Sequence, residues 1–336
     1  MNSKSILFIS KGETAPSTRY RSLAYFGALR MGDWRPQHVT AHDDPLSRVE
    51  LLRNVVRADV AVVLRKTFNI VFFHLLNLCS KRLLFDLDDA IFCRSDGDPS
   101  RTRQNRFARI ARRCQQIWAG NSYLAETAQR YNPSVAILPT SLDPAKYASK
   151  TEKSKDHIDL VWIGSRSTRK YLRGALPVLE PLAKAWPLLR LKIVADFDLP
   201  SEYLHTVAVP WSEEQESGAL SSSHIGIAPM PDNRWTRGKC GLKVLQYMAA
   251  GLPVVSSPVG ANRQIVEHGL TGFHAHSPEA WQSAIQRLVR DPNLRRTMGE
   301  AGRKRVMEEY SVDVTFPKMA AALNTLFGKE SSKGSY

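Results

Sequence analysis

The chain has 336 residues, 43% hydrophobic and 24% charged, which excludes a disordered or fibrous protein and points to two globular domains. Lysine and arginine total 47 against 32 acidic residues, a formal charge of +15 that favours polyanionic partners: nucleic acid, anionic lipid or phosphorylated substrates. Four dispersed cysteines, no apolar run near about 18 residues and no signal-peptide layout in MNSKSILFIS argue against a zinc site, a disulfide framework, a membrane span or export, so a cytoplasmic setting is expected.

In chain order, Ser5–Ser10 reads as a buried strand and Thr18–Met31 as a helix stopped by Gly32. Strands are predicted at Asp59–Leu64, Arg82–Leu87, Gln116–Ala119 and Val135–Leu138. Helical stretches separate them, as in parallel βαβ units. Ala148–Asp156 is polar without an apolar period and reads as a linker. The alternation restarts with strands at Ile158–Gly164, Leu191–Ala195, Ile225–Ala228 and Pro253–Ser256. Helices are predicted at Leu172–Trp186, Ser212–Ser222, Leu242–Ala250, Pro278–Arg290, Pro292–Tyr310 and Val312–Phe327. The organisation expected is two α/β domains, 1–150 and 151–310, with a helix over 311–328 returning to the first. Ligands of such sheets bind outside the carboxyl ends of the strands.

Several segments carry chemistry. Gly164–Tyr171 (GSRSTRKY) joins a strand to a helix, so backbone N–H groups, Ser165, Ser167 and Thr168 hydroxyls and the charges of Arg166, Arg169 and Lys170 can cradle phosphate. An ordinary capped helix start explains the same string. Arg237–Leu242 is basic and glycine-rich and opens another helix, with Lys239 and Lys243 four apart and Gln246 three beyond Lys243. Ser17, Arg19 and Arg21 follow the first strand, where they can meet an anionic acceptor or a donor phosphate. Asp86, Asp88 and Asp89 end a hydrophobic strand, a costly placement unless they are solvated, paired or metal-bound; Asp86 pairing with an arginine and Asp89 capping a turn is the structural alternative to a catalytic role. Arg101–Arg113 holds six arginines, with Arg106, Arg109 and Arg113 on one face and Phe107, Ile110 and Ala111 as apolar contacts. It reads either as a helix for an anionic membrane surface or as a solvated face. The apolar stretch Phe68–Leu78 is explained by core packing or by added membrane contact.

GLKVLQYMAAGLPVVSSPVGANRQIVEHGLTGF, DPNLRRTMGEAGRKRVMEEYS and WIGSRSTRKYL resemble, in order and spacing, the donor-binding half of family-4, group 1 glycosyltransferases. FDLDDAIF, GNSYLAETA and PTSLDPAKY are similar to a bacterial subgroup of that family. The resemblance implies a GT-B fold, two Rossmann-like parallel-sheet domains facing a central cleft. It also implies transfer, with retention, of a sugar from a UDP or GDP type donor to a cell-surface glycan or lipid-linked acceptor. No resident cofactor or metal is expected, because basic groups and helix dipoles serve the diphosphate. The donor residues implied are Gly164, Ser165, Arg166, Arg169, Lys170, Arg237, Gly238, Lys239, Cys240, Gly241, Leu242, Lys243 and Gln246. Two glutamates of the family pattern are replaced here by Gly238 and Gln246. The amide can still bond ribose hydroxyls, while Gly238 offers only backbone. Asp88 and Asp89 stand where the family carries its catalytic-side pair. A glycosyltransferase-like scaffold without activity, a sugar-nucleotide epimerase and a basic nucleic-acid-binding protein are the competing readings. No zinc finger, helix-turn-helix or RNA-reading string supports the last. The protein is expected in the cytoplasm, peripheral to the inner face of the cell membrane.

Overall fold

A computed structural model describes residues 3–148 and 151–327. Residues 149 and 150 of the expected linker, residue 328 and the tail Lys329–Tyr336 lie outside the described residues. The chain divides into two compact units. One is built from Met1–Leu142, Asn233–Cys240 and Val312–Tyr336, the other from Asp143–Asp232 and Gly241–Ser311.

The first unit opens with β1 (Lys4–Ser10), α1 (Pro16–Arg21), α2 (Phe26–Met31), β2 (Trp34–Thr40) and α3 (Pro45–Arg57). It continues with β3 (Val60–Leu64), α4 (Ile70–Cys79), β4 (Leu83–Leu87), α5 (Arg101–Arg113), β5 (Gln116–Ala119), α6 (Ser122–Gln129) and β6 (Val135–Ile137). Its strands form one parallel sheet in the order β2-β1-β3-β4-β5-β6. The helix expected over Thr18–Met31 breaks at Ser22, whose φ of −133° leaves the helical region, and a short 3₁₀ turn separates α1 from α2. Strand β2 carries Pro36, which has no N–H for a ladder; its edge position tolerates that residue.

Two apolar layers cover this sheet. Leu51, Val55, Phe72, Phe73, Leu76, Phe107, Ile110 and Ala128 share one cluster, so α3 through α6 lie on one side. Met319, Ala322 and Leu323 of a late helix join Ile6, Phe8, Tyr25 and Leu29 in the other. The expected apolar contacts of the arginine helix, Phe107, Ile110 and Ala111, are therefore spent on the core; only its arginine side faces water.

The second unit contains β7 (Ile158–Ile163), α7 (Arg169–Ala185), β8 (Leu189–Val194), β9 (His205–Val209), α8 (Glu213–Ser221) and β10 (Ile225–Ala228). The short α9 (Arg234–Arg237) belongs to the first unit. Then come α10 (Leu242–Ala249), β11 (Val254–Ser256), α11 (Asn262–Ile265), β12 (Gly272–His274), α12 (Pro278–Arg290) and α13 (Pro292–Arg305), and α14 (Val312–Asn324) packs on the first unit. The second sheet is parallel throughout, in the order β12-β11-β10-β7-β8-β9. Each unit is thus a doubly wound α/β layer structure whose loops carry residues to the carboxyl edge of the sheet.

Candidate functional site

In the first unit, the three carboxylates after β4 are each treated differently. Asp86 is fully buried and takes a two-pronged bond from Arg21, Nε to Oδ1 and Nη2 to Oδ2, both 2.6 Å. The third guanidinium nitrogen donates to the Leu138 carbonyl at 2.7 Å. Burial pushes the Asp86 carboxyl up to about 6 against the pull of Arg21. Burial also works against the Arg21 charge, but the carboxylate beside it more than offsets that and raises the pKa of the guanidinium. Arg21 is therefore occupied by Asp86, not by an acceptor as the sequence suggests. Arg19 lies over the Tyr20 ring at 5.2 Å, and Ser17 stays half-buried in α1.

Asp89 is clasped from two sides, by Arg65 Nη2 at 2.7 Å and Lys239 Nζ at 2.8 Å. Asp88 is held more loosely, with Arg65 Nε at 3.9 Å from its Oδ1. Burial raises the Asp88 pKa; Arg65 opposes the rise and Asp89 adds to it. Of the three, Asp88 is the carboxylate whose charge is least compensated.

Arg65 is a residue of this edge that no sequence motif marks. It sits at φ 55°, a left-handed conformation uncommon for a side-chain-bearing residue, and its N–H donates to the Asp86 carbonyl at 2.9 Å. Lys11, after β1, is a second such residue. Ile9 pairs with Val63, so continuing the register sets Lys11 opposite Arg65. Burial, then Arg65 and Lys66, lower its pKa. The available signal was position: both follow adjacent apolar strands directly, where parallel sheets place ligands.

The segment Asn233–Cys240 is fastened to this same edge. Asn121 Nδ2 donates to the carbonyls of Arg237 and Lys239, each at 3.1 Å. Cys240 packs its sulfur where a Gly120 Cβ would stand, 2.3 Å away, and lies 3.3 Å from the Asp88 carbonyl. A Cβ on Gly238 would meet the Ala90 nitrogen at 2.7 Å and the Ala90 Cβ at 2.6 Å. Glycine at 238 is thus imposed by a backbone approach, and no longer side chain fits there. Burial pushes the Cys240 thiol well up, so it serves as a packed apolar group.

In the second unit, Gly164 follows β7 and lies under Trp162; a Cβ at 164 would stand 2.1 Å from that ring. A capping box joins Ser165 and Thr168 at the turn that leads into α7. Lys243, in the first turn of α10, reaches Thr168 Oγ1 at 3.2 Å and lies over the Trp162 ring at 4.0 Å. An ammonium is so placed beside the N-terminus of a 17-residue helix, where the aligned peptide dipoles also favour an anion. The other expected cations turn elsewhere. Arg166 pairs with Asp196 at 3.1 Å in the open, and Arg169 lies over Phe197 and donates to the Asp198 carbonyl at 3.3 Å. Lys170 lies 5.4 Å from the centre of the Tyr171 ring.

Gly241 caps α10 at φ 74°, a conformation that suits glycine, and Leu242 begins the helix. Gln246 is buried, and its Nε2 donates to Glu216 Oε1 at 2.6 Å and to the Tyr147 hydroxyl at 3.1 Å. Tyr147 and Trp211 Nε1 donate to the same carboxylate at 2.6 and 2.7 Å. No local sequence pattern marks this group, because its members are 30 to 99 positions from Gln246. Among the described residues no set of three or more His, Cys, Asp or Glu is placed to hold a metal ion.

The family model described as Glycosyl transferases group 1 matches residues 217–305, from α8 into α13. Human alpha-1,3/1,6-mannosyltransferase ALG2 is 33% identical over 92 residues, covering 27% of this chain and 18% of that protein. The chain thus matches less than a fifth of that relative's length. Among solved structures, Anabaena HepE in complex with UDP-glucose superposes with a TM-score of 0.76 at 12% identity, covering 96% of this chain and 99% of that one. The sucrose-phosphate synthase of Thermosynechococcus elongatus gives a TM-score of 0.72 at 15% identity over 97% and 100%. At these identities the structural likeness carries the fold, and the fold is GT-B.

Proposed function

We propose that this chain, a GT-B-fold protein of the group 1 glycosyltransferase type, transfers a sugar from a nucleoside diphosphate donor to a hydroxyl of a cell-surface glycan or lipid-linked acceptor, with retention at the anomeric carbon. The observation that carries the reading is Lys243, within residues 217–305 that match the family model, against Thr168 at the start of α7. A lysine, a capped helix terminus and a glycine that lets the backbone come close are the parts a departing diphosphate needs. Charge grows on that group as the glycosidic bond breaks, so fixed positive groups act mainly on the transition state. The UDP-glucose bound by HepE favours a uridine donor, with GDP as the other candidate.

The donor residues are then Gly164, Ser165, Thr168, Lys243 and the α10 start, while Gln246 spends its amide protons inside the protein on Glu216 and Tyr147. The acceptor side belongs to the first unit. Asp88 is the catalytic-side carboxylate: its charge is poorly compensated, so a sugar that turns cationic as it loses the diphosphate relieves it. Asp86 and Asp89 are already neutralised by Arg21, Arg65 and Lys239, which is why no metal is assigned to them.

A thermal-shift panel of UDP, GDP, ADP, dTDP and CMP, with and without magnesium, tests the donor. A ligand at about 100 times its Kd adds about 2.7 kcal/mol of stability. One diphosphate should shift the melt without magnesium, and Lys243→Ala should lower that affinity about tenfold, the size of a charge-assisted contact. A panel with no shift, or a Lys243→Ala protein that binds as well as wild type, removes the assignment. Asp88→Asn should cut turnover at least tenfold at unchanged diphosphate affinity; normal turnover retires Asp88.

A further inference from the structure

Seven of the fifteen large apolar side chains exposed among the described residues sit on α3 and α4. On α3 they are Leu46, Val49 and Val56, spaced to share one helical stripe, with Leu46 84% exposed. On α4 they are Ile70, Val71, Leu75 and Leu78, with Val71 68% and Leu78 66% exposed. The opposite sides of both helices enter one core cluster, through Leu51 and Val55 and through Phe72, Phe73 and Leu76. The two helices also pack on each other. Both outward stripes therefore lie on the same outer surface of the first unit. Single exposed apolar residues are ordinary; a contiguous patch of this kind marks an interaction surface.

The charges around the patch select the partner. Arg53 and Arg57 are exposed on α3, and Lys81 stands just beyond α4. On the same side of the sheet α5 turns Arg101, Arg103, Arg106, Arg112 and Arg113 to solvent. Neither α4 nor α5 contains an acidic residue. Acidic groups near this face are partnered in part: Arg48 and Lys66 face Asp43 at 3.3 and 3.6 Å and Lys81 pairs with Asp59 at 3.0 Å, while Asp44 caps α3 and Glu50 lies on it. An apolar strip flanked by arginines fits a leaflet of anionic phospholipid: the side chains enter the acyl boundary while the arginines meet the headgroups. Among the described residues no helix is long and apolar enough to cross a membrane, and α4, at ten residues, can only lie along one.

We infer that the α3–α4 face seats the protein on an anionic membrane, with α5 supplying the electrostatic part of the contact. This deepens the proposed function, since it brings the enzyme to a lipid-linked acceptor, but its evidence is independent of the donor site.

The test is co-sedimentation of the full chain with vesicles of phosphatidylcholine plus phosphatidylglycerol, against pure phosphatidylcholine, at low and high salt. Wild type should partition onto the anionic vesicles and keep part of that binding at high salt, where arginine contacts are screened. Val71→Asn with Leu78→Asn should lower partitioning about tenfold and abolish the salt-resistant part, as expected when buried methylenes are lost from an interface. Arg106→Gln with Arg113→Gln should remove the salt-sensitive part only. Both substitutions are at exposed positions, and an unchanged melting temperature certifies the fold. Equal sedimentation of the Val71→Asn, Leu78→Asn protein overturns the inference. So does a wild-type dimer in sedimentation velocity that those substitutions dissociate, since a second copy would then own the face. A nucleotide diphosphate melt shift is read in parallel: its absence with vesicle binding intact removes the enzyme reading and leaves the membrane surface standing.

Discussion

Gly238 replaces a residue that the family resemblance would make a glutamate, and the packing explains why no side chain returns. The Ala90 backbone lies where a Cβ would be, and backbone cannot swing aside as a lysine end can. Gly238→Ala should destabilise the protein by about 1–3 kcal/mol, the usual cost of overpacking; an unchanged urea midpoint would show that Ala90 yields. Arg21 is the second residue of this kind. Removing it leaves Asp86 buried beside no cation, so Arg21→Ala should cost about 3–5 kcal/mol in urea unfolding. The double variant Arg21→Met, Asp86→Leu should cost much less, because it removes both charges together. If the single variant is as stable as wild type, the pair contributes nothing to the fold. The sequence allows an arginine partner for Asp86, but neither the identity of that partner nor the Ala90 approach is readable from it. Arg21 and Asp86 stand 65 positions apart, and nothing local in STRYR distinguishes a buried guanidinium from a solvated one. The departures at 238 and 246 were visible as letters; Ala90 and Glu216, which give them physical sense, were not.

At the scale of elements, the interior strands were legible because strands buried on both faces are continuous apolar runs. Gln116–Ala119 and Ile225–Ala228 match β5 and β10 to the residue. The edge strands β2 and β9 escaped, since WRPQHVT and HTVAV are half-exposed and carry polar residues. The helix α3 escaped too, although Asp44 followed by Pro45 spells a capped start and the Asp44 side chain does accept from the Ser47 N–H. One joint between elements makes a pH prediction. His224, just before β10, accepts the Asp159 N–H on Nδ1 at 3.0 Å and donates from Nε2 to the Ser154 carbonyl at 3.0 Å. Burial lowers its pKa to about 4, below the usual 6.5 of an unfolded histidine. Between those values the unfolded chain binds a proton that the folded one refuses. Stability therefore rises with pH through that window and is lost as pH falls through it. The loss should reach up to about 2 kcal/mol toward pH 4, discounted for partial solvent access. His224→Asn should flatten it; a wild-type melt equally stable at pH 4.5 and 7 would dismiss the assignment.

At the scale of the whole molecule, the +15 charge is divided by role. Some cations are consumed internally, as Arg21, Arg65 and Lys239 are by the carboxylates after β4. Others stand at a helix start, as Lys243 does, and the α5 arginines form a surface. Composition alone gives only the total; the fold sorts the cations among buried ion pairs, a helix start and a surface.

The three-piece build of the first unit governs the order in which the protein can mature on the ribosome. Tyr25 bonds Thr315 at 2.9 Å, and Ile6 and Phe8 share a cluster with Met319 and Leu323, so β1 waits for α14. The second unit lacks that dependence, because its segments end at Ser311. Synthesis therefore leaves a nascent first sheet with one apolar layer open while the second unit can already close. That window of non-local pairing is where slow folding and aggregation concentrate, and a chaperone that shields an unfinished sheet would act on this protein until α14 is made.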